Sequence, residues 1–216
     1  GNGAMALRYG NTFYGVGVDA MYTPRYGSGD GSDDGSPTGT TNAEYGAVEE
    51  IVLSADPLAM LGIEGSALKV GYGRVEALEA TRSDPESGFA ALTYAYGPLS
   101  VGIQKSGVAY GEDGTSRAAG DVLFARNINY GAAFAVNDNL SVSYQETESL
   151  RKVITALRTG DNGQSNDSIL LKADTISVAY TVGGLSIKYA DSSVNNDTYT
   201  TDTTSTASTL SIGVAY

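Results

Sequence analysis

The sequence predicts an all-β protein, a transmembrane antiparallel β-barrel whose strands run up and down in chain order. Three observations predict it. Apolar residues alternate with small or polar ones in successive segments, which is the pattern of strands with two different faces. The connections between these segments are alternately short and long. No apolar run approaches the roughly 18 residues of a transmembrane helix, so a chain of this sequence can span a membrane only as a closed barrel.

The chain opens on a predicted hairpin. Its first strand is predicted to end at a tight turn, Gly10-Asn11, and the alternation resumes over residues 14–22. Arg8 and Asp19 fall on the polar side of this hairpin, one on each strand. Because side chains that face each other across two strands interact, we expect an ion pair between them.

A long polar segment, Pro24 to Asn42, is predicted to be a loop rich in Gly, Ser, Asp and Thr. It contains Asp30, Asp33 and Asp34, and loop carboxylates and carbonyls are the ligands that Ca²⁺ prefers. A structural calcium ion is therefore the one cofactor that the sequence suggests. The spacing matches no cation-loop motif, so a solvated acidic loop without a metal is the alternative.

Two more strands are predicted before the middle of the chain. Glu44 to Ala55 reads as the third strand, and the alternation from Leu68 to Tyr72 predicts the fourth. The connection between them is predicted to contain one helical turn at residues 58–61. A charged loop is predicted over Glu76 to Ser87.

The second half of the chain repeats one arrangement, in which two alternating segments flank a short turn. The short turns are predicted at Gly97-Pro98, Asn137-Asp138-Asn139 and Gly183-Gly184. Long polar loops are predicted over Glu112–Asp121, Thr155–Asp167 and Ser192–Thr206. A last alternating segment, Leu210–Tyr216, closes the sequence.

Aromatic side chains are predicted to lie at a membrane interface, most of them within a few residues of the short turns. They are Tyr94, Tyr96, Phe134, Tyr144, Tyr180 and Tyr189, together with Tyr216 in the last segment. Short turns on one side, long loops on the other and aromatic girdles are features of outer-membrane barrels. A soluble sandwich would have an apolar inner face, whereas the second face here consists of Ser, Gly and Gln.

Four segments show the clearest alternation: Thr93–Gly102, Ile128–Tyr144, Ile176–Tyr189 and Leu210–Tyr216. Together they resemble the general porins of alphaproteobacteria. The resemblance implies a barrel of about 16 strands in the outer membrane of a Gram-negative bacterium. It also implies assembly as a homotrimer and a loop folded into each pore. The closing residue of the family is usually Phe, where this sequence has Tyr.

About eleven strands are predicted, if a barrel strand takes roughly nine to eleven residues. Single-chain barrels normally close on an even number of strands. We therefore expect residues 1–216 to be a single barrel domain that forms the C-terminal two-thirds of a longer porin chain. The N-terminal strands and the constriction loop that the resemblance implies are expected outside this sequence.

If the Leu/Val/Tyr side meets lipid, the opposite side lines the pore. The residues predicted there are Arg8, Asp19, Lys69, Gln104, Asn129, Gln145 and Lys188. Arg8, Lys69 and Lys188 are the candidates for a cationic lining. Arg126 shares its parity with the lipid-facing Ile128, which predicts a place at the headgroup level or in a subunit interface, unless a bulge shifts the phase.

The composition argues against catalysis and nucleic-acid binding. The chain contains no His and no Cys, which removes the commonest general base and every thiol nucleophile. Its net charge of -12 would repel nucleic-acid phosphates. Glu146 and Glu148 share a face on a strand, but charged strand ends above a lipid band explain such a pair without catalysis. We expect no enzyme activity.

These observations predict an outer-membrane porin, surrounded by lipid and lipopolysaccharide, through which ions and small hydrophilic solutes diffuse passively. Two alternatives keep the β-rich architecture. One is an extracellular surface protein or adhesin, which would be soluble without detergent, and the other is a smaller monomeric outer-membrane barrel. A barrel hydrolase would need a Ser/His pair, for which this sequence has no His.

Overall fold

The computed structural model describes residues 6–24, 45–77, 83–110, 121–157 and 164–214. In these residues the chain forms eleven strands: β1 (Leu7–Phe13), β2 (Val16–Thr23), β3 (Tyr45–Ala55), β4 (Ser66–Ala77), β5 (Glu86–Tyr96), β6 (Leu99–Ala109), β7 (Val122–Ala135), β8 (Leu140–Leu157), β9 (Gln164–Val182), β10 (Leu185–Asn195) and β11 (Thr204–Val214). Two short 3-10 turns, Ala59–Leu61 and Asp197–Tyr199, are the helical segments of this part of the chain. No helix within it is long and apolar enough to cross a membrane.

The strands form one antiparallel sheet in chain order, in which each strand pairs with its neighbours along the chain. The topology is therefore up-and-down, which confirms the all-β prediction and the predicted number of strands. β1 and β11 lie at the two edges of this sheet and are not paired with each other. Because both are odd-numbered strands of an antiparallel sheet, they run in the same direction.

The strand register gives the sheet two faces of different composition, since paired residues lie on the same face. Ile187, for example, pairs with Tyr180 on β9 and with Ile212 on β11. We name this side the apolar face. From the short turns to the middle of the strands it carries an apolar band that includes Val16, Val18, Ile51, Leu53, Val70, Leu92, Val101, Ile103, Val142, Val178, Tyr180, Ile187, Leu210 and Ile212.

The opposite side, which we name the polar face, carries small and polar residues at the same level. They include Gly17, Ser54, Lys69, Thr93, Gln104, Asn129, Ser143, Gln145, Ser177, Lys188 and Ser211. Alternation along each strand and register between strands thus agree over most of the sheet. Val52 and Phe89 are exceptions, because their register partners place these large apolar side chains on the polar face.

The residues described contain almost no hydrophobic core. Ile154 is the only hydrophobic side chain among them that is buried. On β11, Leu210, Ile212 and Val214 are 63%, 63% and 67% exposed. Soluble monomers rarely expose contiguous apolar patches of more than a few hundred Å². The apolar band therefore needs a covering that these residues do not supply.

The two faces exchange character toward the strand ends that carry the long connections. On the apolar face the band gives way to charged residues, which we name the charged row: Glu49, Arg74, Glu86, Lys105, Arg126, Glu146, Asp174 and Asp191. Beyond the same level the polar face becomes apolar at Val48, Val75, Val108, Leu171 and Val194. At these strand ends the apolar face thus carries charged residues and the polar face carries apolar ones.

The first turn differs from the prediction. Gly10 and Asn11 continue β1, and the chain reverses at Tyr14 and Gly15. Both of these turn residues have positive φ, 50° and 82°, which suits a tight two-residue hairpin turn. The prediction at Gly10-Asn11 was wrong because the ladder continues through both residues to the last pair before the turn, Phe13 with Val16.

Three predicted loops are also partly wrong, because the strands reach further into polar sequence. In the predicted loop 155–167, β8 continues to residue 157 and β9 begins at 164. In the predicted loop 192–206, β10 continues to 195 and β11 begins at 204. In the charged loop 76–87, β4 continues to residue 77 and β5 begins at 86. Pairing with a neighbouring strand satisfies the backbone of Ser, Thr and Asn there, so tertiary context overrides their loop-like composition. The third strand and the helical turn near residues 58–61 are confirmed.

Some predictions fall outside the residues described. They concern the acidic loop with Asp30, Asp33 and Asp34, the loop over residues 112–120, and Tyr216. They stay predictions.

Candidate functional site

All seven residues predicted to line a pore lie on the polar face. Arg8 and Asp19 belong to the first hairpin, Lys69 lies on β4 between Ser54 and Ala91, and Lys188 lies on β10. The three amides, Gln104, Asn129 and Gln145, lie on β6, β7 and β8. Strand register alone brings them to one side, since they are far apart in the sequence.

The middle of the polar face is a shallow groove of about 550 Å³ over β5 to β8. Gln104 pairs with Asn129, and Gln145 pairs with Gly131. Thr147 donates a hydrogen bond from Oγ1 to Oδ1 of Asn129 over 2.8 Å. Amide and hydroxyl groups bind water and polar solutes, and the small residues between them leave room for both.

The predicted ion pair on the first hairpin is confirmed. Nε of Arg8 donates to Oδ1 of Asp19 over 2.9 Å, and a second nitrogen of the guanidinium contacts the other carboxylate oxygen. Glu50 lies nearby, opposite Met21, which itself pairs with Arg8. The charge of Arg8 is therefore neutralised locally, which weakens its candidacy as a cationic lining residue.

Lys69 and Lys188 differ from Arg8 in having no carboxylate partner among the residues described. Both are exposed on the polar face. Lys69 has Ser54 and Ala91 beside it in the ladder, and Lys188 has Ala179 and Ser211. These two ammonium groups are thus free to act on a solute in front of the sheet.

Arg126 lies on the apolar face, as its parity predicted. It pairs with Gly107 and Leu150, within the charged row and above Ile128. The pairing of β6 with β7 is unbroken from Ala109 to Leu99, and the irregularity of β7 lies between residues 122 and 124. A bulge that moves Arg126 to the polar face is therefore excluded.

The aromatic residues of the apolar face occupy two levels rather than one. Tyr94, Tyr96, Phe134 and Tyr180 lie close to the short turns. A second set lies directly below the charged row and donates hydroxyl protons to it: Tyr72 to Glu86 over 3.0 Å, Tyr144 to Glu146 over 3.0 Å, and Tyr189 to Asp191 over 3.2 Å. Amphipathic rings at both edges of an apolar band are the arrangement of interfacial girdles.

Glu146 and Glu148 are engaged in structural contacts on the apolar face. Glu146 accepts the hydroxyl of Tyr144, and Glu148 forms an ion pair with Lys172, whose Nζ lies 2.6 Å from Oε1. Both carboxylates face away from the polar groove. Nothing in this arrangement resembles a pair of carboxylates poised over a substrate.

One cluster on the polar face, formed by Tyr199, Ser149 and Arg151, was not predicted from the sequence. The connection Asn196–Thr203, which we name the strap, brings Tyr199 against β8. The Tyr199 hydroxyl lies 2.6 Å from Oγ of Ser149, and its ring centroid lies 3.9 Å from the guanidinium carbon of Arg151. The available signal was Tyr199 itself, an aromatic residue in a segment of Ser, Thr, Asn and Asp.

Among the residues described, no group of three or more acidic side chains could hold a metal ion. No protein-family model matches the chain, and no curated protein is detectably similar to it. The site is thus defined by its own geometry, a polar face on one side of a sheet whose other side is apolar. On this face Lys69 and Lys188 have no carboxylate partner among the residues described.

Proposed function

We propose that this chain forms the wall of an outer-membrane β-barrel channel, a porin, through which ions and small hydrophilic solutes diffuse passively. One observation carries the proposal, the uncovered apolar band on one face of a sheet whose other face is polar at the same level. Lipid suits such a band, because the band is apolar and is bordered by a girdle of tyrosines and by the charged row.

The length of the band accounts for more than half of the apolar thickness of an outer membrane. On β9 the apolar residues run from Val182 to Ile176, six residue rises of about 3.4 Å, or about 20 Å along the strand. Barrel strands tilt by roughly 35–45° from the membrane normal, so this length corresponds to about 15 Å of the roughly 25 Å apolar band of an outer-membrane barrel. Above this length the strands continue with a charged exterior, as they would in water beyond the headgroups.

Closure of the barrel needs further strands. β1 and β11 run in the same direction, so joining them directly would make a parallel seam. A ring of copies related by rotation would join β11 of one copy to β1 of the next and repeat that seam at every junction. An odd number of additional strands restores antiparallel pairing at both edges. The resemblance to porins of about 16 strands leaves five to be added to these eleven, which is an odd number.

The polar face then becomes the lining of the channel. Its amides, hydroxyls and ammonium groups bind water and so keep the lumen hydrated. Solutes would pass by diffusion, without a chemical reaction. The homotrimer that the resemblance implies belongs to the same proposal. An extracellular adhesin of the same strand pattern would instead be soluble without detergent.

The first test is conductance. Folded protein purified in detergent is expected to give stepwise, ohmic current in a planar bilayer, and heat-unfolded protein from the same preparation is the control. Folded protein without conductance, or protein that stays monodisperse without detergent, would contradict the proposal.

A second test uses the absence of cysteine from the sequence. Ser143→Cys places a thiol on the polar face and Val142→Cys places one on the apolar face, at adjacent positions of β8. A water-soluble, bulky thiol reagent is expected to reduce the current through the Ser143 variant and to leave the Val142 variant unchanged. Equal effects on both variants would mean that the polar face does not line the conducting path.

A further inference from the structure

The strap folds across the polar face instead of continuing away from the sheet. It joins β10 to β11, yet Nδ2 of Asn196 donates to the carbonyl oxygen of Leu170 on β9 over 2.8 Å. Tyr199 reaches one strand further, to Ser149 on β8. Ser149 is 8% exposed, one of the few buried polar side chains in the residues described. The strap therefore covers the polar side of β9 and part of β8.

The conformation of the strap is held by its own hydrogen bonds. Asn196, Thr198, Tyr199 and Asp202 have φ of 54°, 54°, 57° and 61°, a region that residues other than glycine rarely adopt. Such conformations persist where surrounding contacts determine them. Here Asp202 donates its N–H to Oδ1 of Asn196 over 3.1 Å, and Thr203 donates from Oγ1 to the carbonyl oxygen of Thr200 over 2.7 Å.

The strap fixes the guanidinium of Arg151. Arg151 lies on the polar face between Ala125 and Ile169, and the ring of Tyr199 stacks on it. A cation over an aromatic face is attracted by the ring but keeps its full charge. In contrast to Arg8, Arg151 has no carboxylate partner among the residues described. Arg151 is thus a positioned cation without an ion pair among the residues described, near the long-connection end of the proposed channel.

We propose that the strap and Arg151 form a selectivity element of the channel, which narrows the passage beside β8 and β9 and favours small anions over cations. The inference rests on the proposed channel function. Arg151 is the specificity-determining residue, because its charge faces passing solutes, and Tyr199 is a positioning residue, because it acts by holding the guanidinium. Narrow passages with low-dielectric walls strengthen the effect of such a charge.

The test measures single-channel conductance and reversal potential across a KCl gradient, with the full-length protein. Arg151→Gln is expected to lower the chloride-to-potassium permeability ratio about twofold, the size expected of one screened charge a few ångströms from the ion path. Lys105→Gln is the matched control. It removes the same charge from the apolar face, where Lys105 is exposed in the charged row, and should leave the ratio unchanged.

Two variants at position 199 separate positioning from charge. Tyr199→Ala is expected to raise the conductance and lower the permeability ratio, because both the cover and the stacking are lost. Tyr199→Phe keeps the ring and should preserve the permeability ratio of the native protein. Current through this variant would also show that substitution at position 199 is compatible with folding.

The outcomes are distinct. No current from the native protein would overturn the channel proposal itself. Current that is unaffected by Arg151→Gln, or affected equally by Lys105→Gln, would leave the channel standing and overturn the selectivity element. A Tyr199→Ala variant with unchanged conductance and ratio would overturn the role of the strap.

Discussion

At the scale of single residues, Arg8 and Asp19 show that a partner decides what a charge on the polar face can do. Their side chains are 72% and 41% exposed, so the pair adds little to stability but removes the net charge of Arg8 from the space in front of the sheet. Sequence parity predicted both the face and the pair. Sequence parity did not show that Lys69 and Lys188 would have no carboxylate partner among the residues described, because that depends on which strands become neighbours.

Removing the charge of Asp19 and removing the charge of Arg8 should have opposite effects on the ion selectivity of the proposed channel. Asp19→Asn leaves Arg8 unneutralised, so the chloride-to-potassium permeability ratio should rise above the native value. Arg8→Gln leaves the carboxylate of Asp19 unneutralised, so the ratio should fall. Reversal potentials measure both, and the double variant should return close to the native ratio. Changes of the same sign in the two single variants would show that the pair does not face the ion path.

Asp84 gives a pH-dependent contact outside the strands. Its carboxylate accepts the backbone N–H of Ala77 over 2.7 Å and Nε of Arg74 over 2.6 Å. The N–H of Ala77 is the largest cause that lowers the pKa of Asp84 below its ordinary 3.8, and Arg74 lowers that pKa further. A lowered pKa in the folded protein means that the contact is intact above pH 3.8 and is lost as the pH falls through the lower, folded value.

The carboxyl carbon of Asp84 is therefore expected to titrate in NMR spectra with a midpoint below 3.8. Ala77→Pro would distort the strand as well as remove the donor, so Arg74→Gln is the cleaner comparison. It should move the midpoint toward 3.8 without reaching it, because the backbone N–H is still present. A native midpoint at or above 3.8 would contradict these contacts.

At the scale of strands, the apolar and polar faces were predictable because period two is a local property of the sequence. The pairs around Gly97-Pro98 and Gly183-Gly184 formed as predicted, since each short turn is flanked by unbroken alternation. Strand ends were not predictable in the same way. The polar residues at the ends of β8 to β11 remain in strands because their backbones pair with the neighbouring strand. A local sequence pattern contains no information on that neighbour.

The two faces make a sharp prediction for adjacent residues of β9. Val178 lies in the middle of the apolar band, between Val142 and Tyr189, whereas Ser177 lies on the polar face beside Ser143. If lipid covers the band, Val178→Lys should cost about 2–4 kcal/mol of unfolding free energy in bilayers. Ser177→Lys should cost much less, because its ammonium enters water.

Denaturant titration of both variants, refolded into the same vesicles, measures this difference. The comparison controls for strand position and for the substituted residue, since the two sites are consecutive. Equal destabilisation by the two variants would argue that lipid does not cover the band.

At the scale of the whole molecule, direction and number of strands limit how the sheet can close. Eleven antiparallel strands end on two edges that run the same way, and neither edge has a partner among the residues described. Unpaired edges bind other strands, so both edges are expected to be occupied in the proposed channel. Sequence periodicity predicted the number of strands. It could not predict closure of the sheet, because closure depends on how the edge strands β1 and β11 are paired, and a local pattern contains no information on that pairing.

Cysteine pairs can test whether these edges meet each other. Tyr9→Cys and Leu210→Cys place thiols on β1 and β11, on the same face and at matching distances from the short-turn ends of their strands. Tyr189→Cys with Leu210→Cys is the matched control, because those residues are register partners on β10 and β11. Mild oxidation is expected to cross-link the control pair within one chain, since paired strands bring the thiols within reach. The Tyr9 and Leu210 pair should stay reduced, because additional strands separate β1 from β11 in a closed antiparallel barrel. Efficient cross-linking of that pair within one chain would instead establish a parallel seam, and the eleven strands would then close by themselves.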